Sequence, residues 1–206
     1  MRMIITHASA ENLLSLSATA MDSIEDYSFP PASFKPLLTE ISGLLRSTSS
    51  TLAVAETTTG GLVSASLLSV SGASKFFVGG ATVYTTKSRR IWAGWTDENL
   101  VNYNGPTPEL VTELAANVRE QVDVTYCIGE SGATGPTVPG PPFVHVAGQT
   151  CIAVVSREGV ATRVVETGVT DREKNMVAFA KAALVLLRDV LAGDVKLEQQ
   201  HQPAKY

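Results

Sequence analysis

The chain has 206 residues, of which 44% are hydrophobic and 17% charged, and its formal net charge is -4. This length allows one domain with a sizeable core, and the composition excludes a wholly disordered chain. The mildly acidic balance, without a long basic run, argues against nucleic-acid binding.

The pattern divides the chain into an N-terminal extension (1–35), a compact domain (36–192) and a polar tail (193–206). Within the compact domain, hydrophobic periodicity alternates between the helical period and short apolar runs typical of buried strands. We predict helices over 36–45, 60–70, 88–94, 107–122 and 171–191, and strands over 51–55, 79–85, 124–128, 150–156 and 160–167. The last two strands form a hairpin. The chain is therefore expected to be an α/β domain with a mixed sheet covered by helices.

The sequence gives little indication of a membrane span, a metal site or a disulfide. No apolar run approaches the roughly 18 residues of a membrane span, and the N-terminus lacks a signal-peptide pattern, so we expect a cytoplasmic protein without membrane partners. The two cysteines, Cys127 and Cys151, lie in apolar runs and are expected as buried thiols. The three histidines have no metal-ligand spacing, so we expect no bound metal: His7, His145 and His201.

Ligands of open α/β sheets bind outside the carboxyl ends of the strands, so the loops there are the first candidates for a site. The loop after the first strand contains Thr57, Thr58 and Thr59, followed by Gly60 and Gly61. The glycines let the backbone approach a ligand, and the next helix offers N–H groups to an anion. The alternative is that a threonine only caps this helix.

The loop after the second strand supplies the phenol of Tyr84 and the cations Lys87 and Arg89. It is either part of a site or a solvated basic turn. Trp92 and Trp95 follow it at helical spacing and are predicted to be core or subunit contacts, because large aromatic side chains are usually buried.

The loop predicted after the third strand, residues 128–136, contains Ser131 and Gly132. Its many glycines indicate either close approach to a ligand or a tight connection. Arg172 begins the last predicted helix and is either a surface residue or a clamp for an anion.

Taken in order, the sequences of these loops resemble those of a known protein family. A Thr-Gly-Gly element at 59–61 and a Gly-Ala-Ser element at 72–74 stand in an order that resembles the C-terminal domain of the CinA family, whose bacterial members include the nicotinamide mononucleotide deamidase. The resemblance covers about residues 37–190 and rests on segments 55–64, 70–80, 83–84, 105–111, 131–136, 147–153 and 170–172. It implies a stand-alone domain that forms a homo-oligomer and takes a small-molecule substrate; we expect no cofactor.

In deamidating members the resemblance implies a serine nucleophile that attacks a carboxamide and a lysine base. Here the serine position holds Thr57 and the lysine position holds Arg89. Threonine keeps a hydroxyl, whereas arginine stays protonated and cannot readily accept a proton. Lys87 can supply an amine only if it is buried and desolvated. Arg172 matches the family's arginine and is implied to bind a phosphate or a carboxylate.

Three functions therefore stay open. The first is an amidohydrolase acting on the carboxamide of nicotinamide mononucleotide or a related small anionic heteroaromatic substrate. The second is an enzyme of altered chemistry that uses a Thr57/Arg89 pocket, and the third is a non-catalytic nucleotide-binding homologue. The candidate catalytic residues are Thr57, Tyr84, Lys87, Arg89 and Ser131. The candidate substrate-binding residues are Thr58, Thr59, Gly60, Gly61, Gly132 and Arg172.

Overall fold

The structure is a computed structural model that describes residues 29–101, 103–138, 140 and 146–199. Most of the predicted extension (1–28), the end of the predicted tail (200–206) and the three histidines lie outside the described residues. Within the described ranges, no helix has the length and apolar character needed to cross a membrane. The same ranges contain no cluster of three or more His, Cys, Asp or Glu side chains arranged to hold a metal ion.

Helices and strands alternate along the described chain. The α-helices are α1 (Lys35–Ser47), α2 (Leu62–Leu68), α3 (Thr86–Trp92), α4 (Asp97–Val101), α5 (Pro108–Val122) and α6 (Arg172–Ala192). The strands are β1 (Leu52–Glu56), β2 (Phe77–Thr82), β3 (Tyr126–Ala133), β4 (Gln149–Val155) and β5 (Val160–Glu166). The five strands form one sheet in the order β2-β1-β3-β4-β5.

The sheet is mixed, as predicted. Strand β1 runs parallel to β2 and β3, whereas β4 and β5 form an antiparallel hairpin that pairs with β3. Strand β3 is longer than β1: residues 126–130 pair with β1, and residues 131–133 pair with β4 alone. The last three residues of β3 therefore have no strand on their β1 side, where the loop that follows β1 lies.

Helices cover both faces of the sheet. Leu52 and Val54 of β1 belong to a core that α1, α2 and α6 share, whereas Ala53 and Ala55 belong to a second core under α5. All five residues of β1 are buried, because a central strand has helices on both sides. This explains why β1 appears in the sequence as a continuous apolar run and not as an alternating pattern.

Local capping signals define two of the longer helices. The Thr107 hydroxyl accepts a hydrogen bond from the Leu110 N–H at 3.2 Å, and Pro108 is the first residue of α5. Asp171 caps α6 by accepting from the Lys174 N–H at 3.0 Å. This hydrogen bond holds the pKa of Asp171 below its usual value. These contacts confirm the predicted helix starts.

The predicted bounds of two strands differ from the structure by three or more residues at one end, and those of the other three by one residue. The second strand ends at Thr82 instead of residue 85, because Thr85 caps α3 by accepting from the Ser88 N–H at 3.2 Å. The third strand was predicted to end at Ile128 but continues to Ala133, because antiparallel pairing with β4 supports the glycine-containing segment. The predicted loop at 128–136 is therefore mostly strand.

The two cysteines are buried and free. Across the β3–β4 ladder, Cys127 pairs with Val155 and Cys151 pairs with Ser131, so the two thiols are not cross-strand neighbours. Burial raises the pKa of the Cys127 thiol and raises that of Cys151 to about 11. Both side chains are therefore protonated core groups at neutral pH, in agreement with the prediction.

A glycine in β3 allows α5 to pack directly on the sheet. A Cβ atom at Gly129 would lie 2.0 Å from the Val111 carbonyl oxygen, whereas nothing lies within 4 Å of a Cβ at Gly79. We therefore expect Gly129→Ala to lower the free energy of unfolding by about 3 kcal/mol, the upper end for overpacking a core. Urea unfolding followed by circular dichroism measures this, with Gly79→Ala as the matched control. Equal stabilities of the two variants would contradict this packing.

Candidate functional site

A cavity of about 160 Å³ lies where β1 and β2 end and where β3 extends beyond them. We call it the strand-end cavity. Its described lining includes six of the predicted site residues: Thr57, Thr58, Tyr84, Arg89, Gly132 and Arg172. The expectation that chemistry would concentrate at the carboxyl ends of the parallel strands therefore corresponds to a cavity in the structure.

Thr57 follows β1 directly and is only 1% exposed. Its hydroxyl donates a hydrogen bond to the Ser131 Oγ at 3.1 Å. Helix α2 begins after Gly61, and no side chain among the described residues caps it through the usual N-cap hydrogen bond. The alternative that a threonine merely caps this helix is therefore wrong.

Arg89 is 4% exposed although it carries a permanent charge. Its Nε donates to the Val83 carbonyl at 3.2 Å, and one terminal nitrogen donates to the Ser131 Oγ at 3.4 Å. The guanidinium carbon lies 4.8 Å from the centre of the Trp95 ring and 4.9 Å from that of Tyr103. The other terminal nitrogen is buried and has no hydrogen-bond partner among the described residues.

The two tryptophans of this region differ in burial. Trp95 is 5% exposed and packs against Arg89, in agreement with the prediction of a core contact. Trp92 is 55% exposed and so is not part of the core of the chain. The basic segment is therefore not a simple solvated turn, because one of its cations is held inside an aromatic cluster.

Ser131 lies on β3 and joins the two groups expected to carry chemistry. Its Oγ is within hydrogen-bond distance of the Thr57 hydroxyl and of the Arg89 guanidinium. Because Arg89 only donates, the Ser131 oxygen is the acceptor in that contact. The three predicted residues thus form one hydrogen-bonded group beside the cavity.

Arg172 and Tyr84 form the exposed rim of the cavity. Arg172 donates to the Gly135 carbonyl at 3.2 Å and to the Tyr84 hydroxyl at 3.4 Å. Both residues are exposed, which places them at the entrance. Arg172 is therefore joined to the rim by two hydrogen bonds and is not an isolated surface residue.

Glu130 is the main site residue that sequence reasoning missed. It is fully buried on β3, and its carboxylate accepts from the backbone N–H groups of Thr57 and Thr59, each at 3.1 Å. It also accepts from the hydroxyls of Thr58 and Thr150. Burial raises the pKa of Glu130, and the hydrogen bonds partly oppose that shift. The sequence pattern placed Glu130 in a glycine-containing loop, so no local signal indicated its burial.

A second buried acid, Glu56, occupies the N-terminus of α2. Its carboxylate accepts from the N–H groups of Val63 at 3.2 Å and Ser64 at 3.1 Å, and from the Thr59 hydroxyl at 2.6 Å. The expectation that these N–H groups are free to bind an anionic ligand is therefore wrong, because the chain's own carboxylate fills the position. Thr59 likewise binds the buried acids: its hydroxyl donates to Glu56 and its N–H donates to Glu130.

The structure does not bring Lys87, Gly60 or Gly61 to the lining of the strand-end cavity. Lys87 is exposed, and no side-chain hydrogen bond or ion pair joins it to the rest of the described chain. Gly60 and Gly61 have φ values of 65° and 102°, and a Cβ at Gly60 would lie 3.1 Å from Met176. The two glycines thus turn the chain into α2 instead of lining the cavity.

The fold and the cavity define an α/β domain with its candidate site outside the carboxyl ends of parallel strands. Residues 35–191 match the CinA C-terminal domain, and the chain belongs to this family. The predicted family and fold class are therefore confirmed.

Relatives and solved structures agree with this assignment. The chain is 36% identical over 148 residues to a CinA-like protein of Myxococcus xanthus, covering 71% of this chain and 34% of the relative. A CinA-like protein of Frankia casuarinae is 36% identical over 152 residues, with coverage of 73% and 34%. The chain thus spans about a third of the length of these relatives.

Two crystal structures show the same fold. A CinA superfamily protein from Klebsiella pneumoniae has a TM-score of 0.71 at 22% identity, covering 77% of this chain and 97% of its own. A competence or damage-inducible protein from Enterobacter asburiae has a TM-score of 0.70 at 24% identity, with coverage of 75% and 96%. At this level of identity the likeness concerns the fold alone.

Proposed function

We propose that this chain binds a small anionic heteroaromatic molecule, of the nicotinamide mononucleotide type, in the strand-end cavity. The observation that carries the proposal is Arg89. A buried guanidinium without an acidic partner in the described part of the chain is costly, and an anionic ligand would supply the missing charge and acceptor.

The rest of the cavity supports the same class of ligand. Arg172 adds a second positive charge at the rim, and Tyr84 and Tyr103 add aromatic surface to the lining. The volume of about 160 Å³ is below the roughly 300–1,000 Å³ typical of pockets that enclose a whole ligand. We therefore place one ring or acid group inside the cavity and the remainder of the ligand beyond the rim.

Binding is favoured over turnover because the described residues offer no evident general base for Thr57. Arg89 stays protonated, and Lys87 is exposed and lies outside the cavity lining. Within the described ranges, Glu130 accepts from the Thr57 backbone N–H and not from its hydroxyl. A hydroxyl without a base is a weak nucleophile.

Amide hydrolysis by Thr57 is the second candidate, favoured because Thr57 lines the cavity and its hydroxyl bonds to Ser131. In this reaction the Thr57 oxygen bonds to the carboxamide carbon, and the C–N bond breaks. The threonine proton leaves with the nitrogen as ammonia. Water then hydrolyses the resulting ester, which yields the carboxylic acid and restores the hydroxyl.

One experiment separates the two candidates. The purified chain is titrated with nicotinamide mononucleotide in a calorimeter, and ammonia is followed in a parallel incubation. Saturable binding without ammonia supports the binding function, and ammonia release that disappears in Thr57→Ala supports hydrolysis. The control is Thr39→Ala, an exposed threonine on α1. Absence of both binding and ammonia release overturns both candidates.

A further inference from the structure

We propose that the strand-end cavity selects a ligand whose aromatic ring carries a carboxylate over the same ligand with a carboxamide. The inference rests on the proposed binding function and names the chemical form of the ligand that this site prefers. The carboxylate occupies the buried end beside Arg89, and a second anionic group of the ligand lies at the rim beside Arg172.

The charge of the cavity is the first argument. Its lining in the described chain contains two arginines, Arg89 and Arg172, and no acidic side chain. The buried acids nearby, Glu56 and Glu130, direct their oxygens to hydrogen-bond donors of the loop after β1 and of α2. Neither acid therefore contributes its side chain to the described lining, whose only charged side chains are the two arginines.

The donor set is the second argument. A guanidinium only donates hydrogen bonds, so a ligand NH₂ group facing Arg89 would leave donor opposite donor. A carboxylate presents two acceptor oxygens and a negative charge to the same group, and such charge-assisted bonds are the stronger kind. The buried terminal nitrogen of Arg89 that lacks a partner in the described chain gives this contact a place to form.

Thr134 supplies an independent observation. It lines the cavity, is 2% exposed, and its Oγ1 has no hydrogen-bond partner within the described ranges. Unpaired buried polar atoms are uncommon in folded proteins and call for a ligand or solvent that satisfies them. The two residues that carry such atoms, Arg89 and Thr134, both line the strand-end cavity, and a carboxylate has two acceptor oxygens to offer them.

The test compares two nucleotides that differ only at the ring substituent. Nicotinic acid mononucleotide carries a carboxylate and nicotinamide mononucleotide a carboxamide, while the ribose and the phosphate are the same. Calorimetric titration of the unmodified chain should give a dissociation constant at least about tenfold lower for the acid, the scale of one charge-assisted contact.

Variants locate the origin of the preference. Arg89→Met removes the charge but keeps much of the volume beside Trp95, and it should bring the ratio of the two dissociation constants close to one. Thr134→Val removes a hydroxyl at nearly constant volume and should lower the ratio partly. Arg172→Met should weaken both nucleotides by a similar factor, because both carry the phosphate.

The outcomes separate this inference from the function on which it rests. If neither nucleotide binds the unmodified chain, the proposed function is overturned. If both bind with equal affinity, or the amide binds more tightly, only the carboxylate preference is overturned. Circular dichroism melting checks that each variant is folded; if Arg89→Met is not, the Thr134→Val ratio decides, and an unchanged ratio there counts against the inference.

Discussion

Replacing Glu130 by alanine is expected to lower the free energy of unfolding by about 3 kcal/mol, because it leaves buried donors without an acceptor. The Thr59 N–H loses its hydrogen-bonded carboxylate oxygen, and the Thr58 hydroxyl loses its acceptor. The loop that holds Thr57 also loses an anchor, so ligand affinity should fall together with stability. Chemical unfolding and calorimetric titration measure the two effects.

Two further variants make this result specific. Glu130→Gln keeps the size of the side chain but turns an NH₂ group toward donors, so its loss of stability should lie between zero and that of the alanine variant. Glu120→Ala replaces an exposed glutamate of α5 and should change stability by less than about 0.5 kcal/mol. A stability of Glu130→Ala equal to that of Glu120→Ala would contradict the anchoring role.

The stability difference between the unmodified chain and Glu130→Gln is expected to change with pH in a defined direction. Burial raises the pKa of Glu130 above its ordinary value of 4.5, so the folded state holds this proton more tightly than the unfolded state. The associated stabilisation is complete below the ordinary pKa and is lost as pH rises through the folded-state pKa. The stability difference between the unmodified chain and Glu130→Gln should therefore shrink as pH rises from about 4.5. A difference that grows over this range would contradict the direction of the shift.

The double variant Thr57→Ser with Arg89→Lys is expected to release ammonia from nicotinamide mononucleotide at least about 100-fold faster than Thr57→Ser alone, the lower range for a general base. Serine removes the methyl group that stiffens and crowds the hydroxyl. An amine at the buried position of Arg89 is desolvated, which lowers its pKa and lets it accept a proton. An enzyme-coupled ammonia assay measures the rates.

The matched control for this gain is Thr57→Ser with Arg89→Met, which keeps the same hydroxyl and removes the base. The rate of the lysine variant should rise with pH, because only the deprotonated amine accepts a proton. If the lysine and methionine variants release ammonia at the same rate, residue 89 does not control turnover at this site. Binding of the nucleotide to both variants must also be measured, so that weaker binding is not mistaken for the absence of a general base.

Several elements could be predicted because their signals are local. Thr107 and Pro108 define the start of α5, and Asp171 defines that of α6, since a cap depends on residues three or four apart. The hairpin of β4 and β5 follows from two apolar runs around Gly159. The position of the strand-end cavity could also be predicted, because the carboxyl ends of β1, β2 and β3 lie at one edge of the sheet.

The chemistry of the site was less predictable because it depends on contacts between distant parts of the chain. Glu130 reaches the loop after β1 only because β1 and β3 pair with Glu56 opposite Glu130. The same pairing, with α2 packed beside it, lets Glu56 fill the helix N-terminus that was expected to bind a ligand. A local pattern does not reveal which carboxylate meets which donor.

Residue types and their order along the chain thus define the α/β class, the family and the loops around the cavity, because periodicity and caps are properties of neighbouring residues. The packing of distant segments defines the burial of Arg89 against Trp95 and Tyr103, the exposure of Lys87, and the extension of β3 to Ala133. These long-range contacts determine which cation faces the cavity and which donors are already satisfied.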